Sequence, residues 1–298
     1  MTSSSVGLRL NRRQLLVGVA GTALLAACGG GGAGGGATED EDLRFLVPFF
    51  ATGEMEPPIL RTGVEQRMPW GIGDGEGIPL QADVLPPTMD MVVGREGTVV
   101  ATVNAALHSE GVPSAYYALR HTFADPGRYD VTVTFDGEEL TRNIQVAAPQ
   151  DLALVQPGER AMPVLTPTTT DARGVDPICT RDPQCPFHEL TLADALANGR
   201  PTAFLISTPL FCQTAVCGPV LELLVDEASG RPGLNVVHAE VYADAVAKGN
   251  IIGASLTEAV NAYALSFEPS LLVIDAAGMV TDRLDFVYDA SELRQVLD

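Results

Sequence analysis

The residues Tyr129-Asp130-Val131-Thr132-Val133-Thr134-Phe135 alternate without exception between apolar or aromatic odd positions and polar even ones. A period of two places one set of side chains on one face of an extended chain, so this segment can bury that set as a β-strand but not as a helix. Asp136-Gly137 follows, a dipeptide suited to the positive φ angles of a two-residue hairpin turn. Leu140, Ile144 and Val146 then recover the same face on the return strand, with Arg142 as the exception. An isolated hairpin is marginal in water, so more strands must pack with it. Residues 98–103 and 115–123 are candidates.

Asp125-Pro126-Gly127-Arg128-Tyr129, which leads into the clearest strand, resembles the corner before a late strand of immunoglobulin-like domains. There a Tyr hydroxyl bonds back to the chain. The resemblance implies an all-β immunoglobulin-like sandwich over residues 43–148. His108 and His121 have no cysteine or carboxylate at metal spacing and read as surface or hydrogen-bonded histidines. Trp70, the only tryptophan, is a candidate for a core, lid or recognition role. The region reads as a spacer or partner-binding module.

The chain has 298 residues and a formal net charge of −20, with 46% hydrophobic and 19% charged residues. That apolar content excludes a wholly disordered chain, and the acidity argues against nucleic acid as a partner. Residues 1–27 carry no acid, only Arg9, Arg12 and Arg13, followed by a mostly apolar stretch too short to span a bilayer. This is the layout of a secretory signal. Leu25-Ala26-Ala27 before Cys28 resembles the bacterial lipobox, which implies lipidation of Cys28. Asn11-Arg12-Arg13-Gln14-Leu15-Leu16 resembles a twin-arginine export signal. Residues 28–42, Gly-rich and then acidic, read as a flexible tether. The expected product is an extracytoplasmic, membrane-anchored lipoprotein.

Residues 149–185, rich in proline and polar residues, read as a linker. Beyond them Thr202-Ala203-Phe204-Leu205-Ile206 has the continuous apolar character of a strand buried on both faces. Helices are expected over 191–198, 220–228, 257–264 and 291–297, with strands over 234–237, 271–274 and 279–286. Cys212 and Cys217 follow the first buried strand, Gly218-Pro219 stands beside them, and Pro269 precedes a later strand. In this order of features residues 186–298 resemble a thioredoxin-like domain of the membrane-tethered kind. The resemblance implies an α/β thioredoxin-like fold, and makes Pro269 a groove-forming residue facing the cysteines. The pattern departs from the family in having four residues between the cysteines, and Phe211 where tryptophan is usual.

Five residues along an ideal helix separate Cα atoms by roughly 8–9 Å, beyond the ~7 Å limit for a disulfide. Cys212 and Cys217 can therefore pair only if the helix starts near residues 216–218, which Pro219 in its first turn favours. The function the thioredoxin resemblance implies is thiol–disulfide exchange with protein thiols or disulfides, Cys212 attacking and Cys217 resolving. The helix dipole, which lowers a thiol pKa, leaves the opposite assignment open. Glu268 is a candidate proton carrier, or a strand-edge acid. Cys179, Cys185, Cys212 and Cys217 allow three connectivities, of which the local one is expected, with Cys179–Cys185 a structural staple.

Two other classes remain open. Sco-type copper proteins are also tethered and bind metal with a close cysteine pair and a distant histidine, here Cys212, Cys217 and His238. His188, near the start of the region, ranks behind His238. Neither cysteine spacing matches a zinc knuckle, and no cofactor is expected. The third class is a redox-inert binding lipoprotein.

Overall fold

The structure is a computed structural model that describes residues 43–212 and 215–298. The signal over 1–27, the lipidation site Cys28 and the tether over 28–42 lie outside the described residues. Among the described residues no helix is long and apolar enough to cross a membrane.

The first eight strands are β1 (Phe45–Pro48), β2 (Leu60–Arg61), β3 (Glu65–Gly73), β4 (Thr88–Arg95), β5 (Thr98–His108), β6 (Tyr116–Thr122), β7 (Gly127–Phe135) and β8 (Glu138–Ala147). They form one sheet in the order β1-β3-β6-β5-β4-β7-β8-β2. The expected hairpin is β7–β8, with Phe135 opposite Glu138 and positive φ at both Asp136 and Gly137. Tyr129, Val131, Val133 and Phe135 are buried, as are Leu140, Ile144 and Val146. The Tyr129 hydroxyl donates to the Asp125 carbonyl at 2.8 Å, the contact that the Asp125–Tyr129 corner implied.

An immunoglobulin-like sandwich needs two sheets face to face, and here there is one curled, half-barrel sheet of eight strands. The cause is β5. Eight of its first nine residues pair with β4, Val100 being passed over at a bulge, and its last two, Leu107 and His108, pair with Tyr117 and Tyr116 of β6. One long strand thus joins what would otherwise be two sheets. The sheet curls far enough for Arg142 of β8 to donate to the Leu46 carbonyl of β1 at 3.1 Å, although these strands stand near opposite ends of the order. The concave face holds Met68, Trp70, Ile72, Met91, Val93, Tyr117 and Leu119. Trp70 is fully buried, edge-on to Phe50 with ring centroids 4.9 Å apart, which gives it the core role.

The remaining elements are α1 (Leu192–Ala197), β9 (Thr202–Ile206), α2 (Cys217–Ala228), β10 (Asn235–Ala239), α3 (Ala245–Lys248), α4 (Glu258–Ala262), β11 (Ser270–Ile274), β12 (Val280–Asp285) and α5 (Ala290–Leu297). Four strands form a sheet in the order β10-β9-β11-β12, with β9–β10 parallel and β11 antiparallel to both its neighbours. The expected α/β thioredoxin-like fold is overturned: the described residues are 34% strand and 17% helix. α1, α3 and α4 are one to two turns long, so helices supply only part of the cover that an α/β sheet needs on both faces. Ala203 and Leu205 of β9 face α2 and α5, whereas Phe204 and Ile206 face a core continuous with that of the large sheet.

Residues 149–185, read as a linker, are part of that core. Leu154, Val155, Ala161 and Val164 are buried in it, and the described residues form one compact unit. A buried polar network joins the two sheets. Arg67 of β3 holds Glu292 of α5 through two 2.6 Å bonds, Nε to Oε1 and a terminal nitrogen to Oε2. Both side chains are 3% exposed. The Tyr116 hydroxyl donates to Glu292 Oε2 at 2.6 Å, and Arg67 also donates to the carbonyls of Asp285 and Val287. His108 Nδ1 lies 3.0 Å from Asp289 Oδ1.

Candidate functional site

β9 ends at Ile206, and the chain leaves it as Ser207-Thr208-Pro209. Pro209–Phe211 forms a single 3-10 turn, Cys212 is extended, and α2 begins at Cys217. This start is the one that disulfide geometry demands. Cys212 stands outside the helix, its Cα lies 5.9 Å from that of Cys217, and the two are disulfide-bonded. The backbone N–H of Cys217 points at Cys212 Sγ, 3.2 Å away, so the N-terminus of a twelve-residue helix faces that sulfur.

The two sulfurs have unequal surroundings. Cys217 is completely buried, whereas Cys212 is half-buried. Cys217 Sγ lies 3.6 Å from Glu268 Oε2. That oxygen also accepts from the Thr208 backbone N–H at 2.6 Å, while Oε1 is buried without a hydrogen-bond partner. Burial pushes the Glu268 carboxyl up to about 7, with the Thr208 bond and His238 pulling down and Glu240 adding to the rise. Glu268 is joined to Pro269 by a cis bond, and the Pro269 carbonyl accepts from Phe286 N–H at 2.9 Å. The structure thus brings together Cys212, Cys217 and Glu268, with Pro269 adjoining in sequence.

Two apolar grooves flank this point. One, of about 310 Å³, runs over Val241, Val260, Leu265, Phe267 and Glu268. The other, of about 700 Å³, runs over Phe49, Phe50, Val216, Phe267 and Val287. Phe267 and Phe286 line both, stacked with centroids 4.6 Å apart.

A second cluster lies behind β9. Cys179 and Cys185 are free thiols, both buried, so the expected Cys179–Cys185 staple is absent from this structure. Each instead faces histidine. Cys179 Sγ is 3.7 Å and Cys185 Sγ 3.5 Å from His238 Nδ1, and Cys185 Sγ is 3.3 Å from His188 Nε2. The alternation of β10 explains the placement. Val237 and Ala239 enter the core shared with the large sheet, so His238 points to the opposite face. There it meets the loop carrying Cys179, Cys185 and Phe187.

His238 Nε2 lies 3.1 Å from both the Oγ and the carbonyl of Ser207. Both ring nitrogens of His238 thus face Cys179, Cys185 and Ser207, and the structure groups it with those residues and not with the alternative copper set of Cys212 and Cys217. Glu240, pushed up to about 7 by burial, accepts from the Thr180 backbone N–H at 2.6 Å and so holds the residue after Cys179. Within the thiol pair, the hydrogen bond from Cys185, with those from His188 and His238, holds Cys179 well below the usual thiol range, and the same hydrogen bond to Cys179, with burial and then the Cys179 charge, pushes Cys185 up.

Sequence reasoning reached Cys212, Cys217 and Glu268, ranked His188 behind His238 as a ligand, and passed over Thr208 and Ser207. One signal was legible: His188 stands three residues after Cys185, a metal-ligand spacing once a histidine joins the set.

No protein-family model matches the chain, and no curated protein does. Among solved structures an engineered protein is similar, at 17% identity and a TM-score of 0.24, over 36% of this chain and 20% of that one. The chain spans about a fifth of that structure's length, and a likeness of this degree carries no argument about fold or function.

Proposed function

We propose that this protein is a thiol–disulfide exchange protein working through Cys212 and Cys217. One observation carries the reading: a disulfide with one half-buried and one buried sulfur, the first facing a helix N-terminus and the second a carboxyl with a pKa near neutrality. A structural staple needs neither the helix end nor the proton carrier.

In the oxidised state a partner's thiolate attacks Cys212 Sγ, the accessible sulfur. The Cys212–Cys217 bond breaks, a mixed disulfide forms, and Cys217 leaves as a thiolate that takes the proton from Glu268. A second thiol of the same partner then attacks its own sulfur in the mixed disulfide. That releases the partner's disulfide and leaves Cys212 as a thiolate, stabilised by the Cys217 N–H. Two electrons pass from a dithiol to this protein. The reverse sequence reduces a partner's disulfide, with Glu268 as the base that activates Cys217. The flanking grooves suit a polypeptide partner carrying apolar side chains. The signal and Cys28 support export and lipid anchoring, which would place the reaction outside the cytoplasm.

The test is the reduction potential of the pair, measured by thiol trapping in defined redox buffers with each cysteine identified by mass. The expected result is a reversible potential between about −270 and −120 mV, with exchange toward a model disulfide that Cys212→Ser abolishes. A potential below about −300 mV with no exchange would mean a structural bond in a redox-inert protein.

A further inference from the structure

Cys179, Cys185, His188 and His238 present one ligand atom each, and these four atoms all lie within 4.8 Å of one another. We propose that they form a closed tetrahedral site for a zinc ion. The sequence reading set zinc aside because Cys179-x5-Cys185 is no knuckle; the fold supplies the two histidines that spacing alone did not.

The geometry fits the ion. Zinc bonds of about 2.3 Å to sulfur and about 2.0–2.1 Å to nitrogen, set tetrahedrally, put sulfur and nitrogen roughly 3.5 Å apart. Three of the four sulfur–nitrogen separations are 3.3, 3.5 and 3.7 Å, and the fourth lies within the 4.8 Å that spans the set. The donor set fits as well, since two thiolates and two neutral imidazoles are a common structural zinc set. Two thiolate charges and one divalent cation sum to zero, so the filled site can be buried with little electrostatic cost. All four residues are at most 5% exposed, which leaves no open position for a substrate and makes the site structural.

The surroundings hold the ligands in place. With Nε2 of His238 directed at Ser207, its Nδ1 is left to face the sulfurs, the arrangement by which outer groups fix a ligand's tautomer. The His238 N–H donates to the Phe187 carbonyl at 3.1 Å, tying β10 to the residue before His188. Glu240 grips Thr180 beside Cys179. The site also explains an otherwise puzzling segment. Between the turn at Pro149–Asp151 and α1 at Leu192 there is no helix or strand, yet its residues are extensively buried. Long segments without secondary structure are uncommon in compact proteins and need some other anchor. An ion joining Cys179, Cys185 and His188 to β10 supplies one.

The test uses the full chain. Purified protein is analysed for metals, then stripped with a chelator, reduced, reloaded with zinc or cobalt alone, and desalted. The expected result is close to one zinc per chain. Cobalt loading should give the visible bands of tetrahedral cobalt with thiolate-to-metal charge transfer. Cys179→Ser should lower metal content at least tenfold, and Cys212→Ser/Cys217→Ser should leave it unchanged. That second variant separates this site from the exchange reading, because either can fail alone.

Alkylation of the unmodified chain gives a second readout that does not depend on the folding of Cys179→Ser. Cys179 and Cys185 should resist labelling until chelator is added. Less than one-tenth of an ion per chain after reloading, or a Cys179–Cys185 disulfide in protein that takes up no metal once reduced, would overturn the proposal. So would metal lost from Cys212→Ser/Cys217→Ser but kept by Cys179→Ser.

Discussion

Replacing Glu268 with glutamine keeps the acceptor for the Thr208 N–H and removes only the titratable proton, which makes Glu268→Gln a test of the proton carrier. In the reducing direction Cys217 must lose its proton before it can resolve the mixed disulfide. With a pKa of about 7 the carboxyl is roughly one-tenth ionised at pH 6 and roughly nine-tenths at pH 8, so resolution should quicken about tenfold across that range. General-base assistance contributes roughly 10²–10⁴ in rate, and Glu268→Gln should lose at least the lower figure in this step alone. The assay is the reaction of reduced protein with a chromogenic aromatic disulfide. The first equivalent of chromophore reports attack by Cys212 and the second reports resolution by Cys217, with the modified cysteine identified by mass. The variant should leave the first phase intact, slow the second, and replace the inflection near pH 7 with a rise that continues to the higher pH at which the buried thiol itself ionises.

The same substitution makes a stability prediction of opposite sign. The folded carboxyl keeps its proton up to about 7, whereas the ordinary value is 4.5. Between those values the folded state binds more protons, so stability falls as pH rises through this window. The full separation corresponds to at most about 3 kcal/mol lost by pH 8. Glutamine never ionises, so Glu268→Gln should be the more stable protein at pH 8 and close to the parent at pH 4. A residue retained for packing or hydrogen bonding would instead lose stability when changed. Equal slowing of both phases, or a variant less stable than the parent at pH 8, would refute the reasoning.

Cys217→Ser should trap Cys212 in a stable mixed disulfide with one half of a peptide disulfide, the other half leaving as a thiol, read by intact mass, while Cys212→Ser should trap none. Glu292→Gln, which leaves Arg67 buried beside a neutral partner, should cost about 3–5 kcal/mol in denaturant unfolding. Burial alone would raise the Glu292 carboxyl, but Arg67 overcomes this and holds it down to about 2. The parent should therefore lose about 3 kcal/mol as pH falls from 4.5 toward 2, a loss absent from Glu292→Gln. Trp70→Ala should cost about 3–5 kcal/mol, and the blue-shifted emission of this single, fully buried tryptophan should redden in one step on unfolding.

What could be read from the sequence was local. The β7–β8 hairpin rests on a period-two pattern and a turn dipeptide, both complete within about twenty residues. The start of α2 followed from the distance two bonded cysteines can span and from Pro219 in its first turn. Helices and strands of the second half also lie close to their expected positions, but their lengths do not reveal what covers the sheet. The short α1 and α4 share that task with residues 149–185, whose prolines read as a linker because proline marks the absence of regular structure, not the absence of packing. The joining of two half-sheets by β5 depends on where its pairing changes partner, at Leu107, which no residue pattern announces.

The least legible feature is how closely the two cysteine clusters approach each other. Cys179 and His238 are 59 residues apart, and Cys217 and Glu268 are 51. Each pair meets only because β9 stands between β10 and β11 in the sheet. The end of β9 then serves both sites with consecutive residues: Ser207 faces His238, and the Thr208 N–H binds Glu268. The Thr208 hydroxyl, in turn, accepts from the Val241 N–H just past β10 at 2.9 Å, locking this corner to the neighbouring strand. Successive residues of an extended chain point to opposite sides, so one short exit from a buried strand can hold a buried thiol–imidazole cluster on one side and a proton carrier on the other. That makes Thr208→Val a sharper probe of the corner than any change at a cysteine. It removes the hydroxyl bond to Val241 but keeps the backbone N–H on Glu268. If the corner is held by the strand and not by this hydroxyl, exchange kinetics should stay within twofold of the parent. A large loss of resolution rate, with the disulfide intact, would show that Glu268 depends on the position of Thr208 and not only on its own burial.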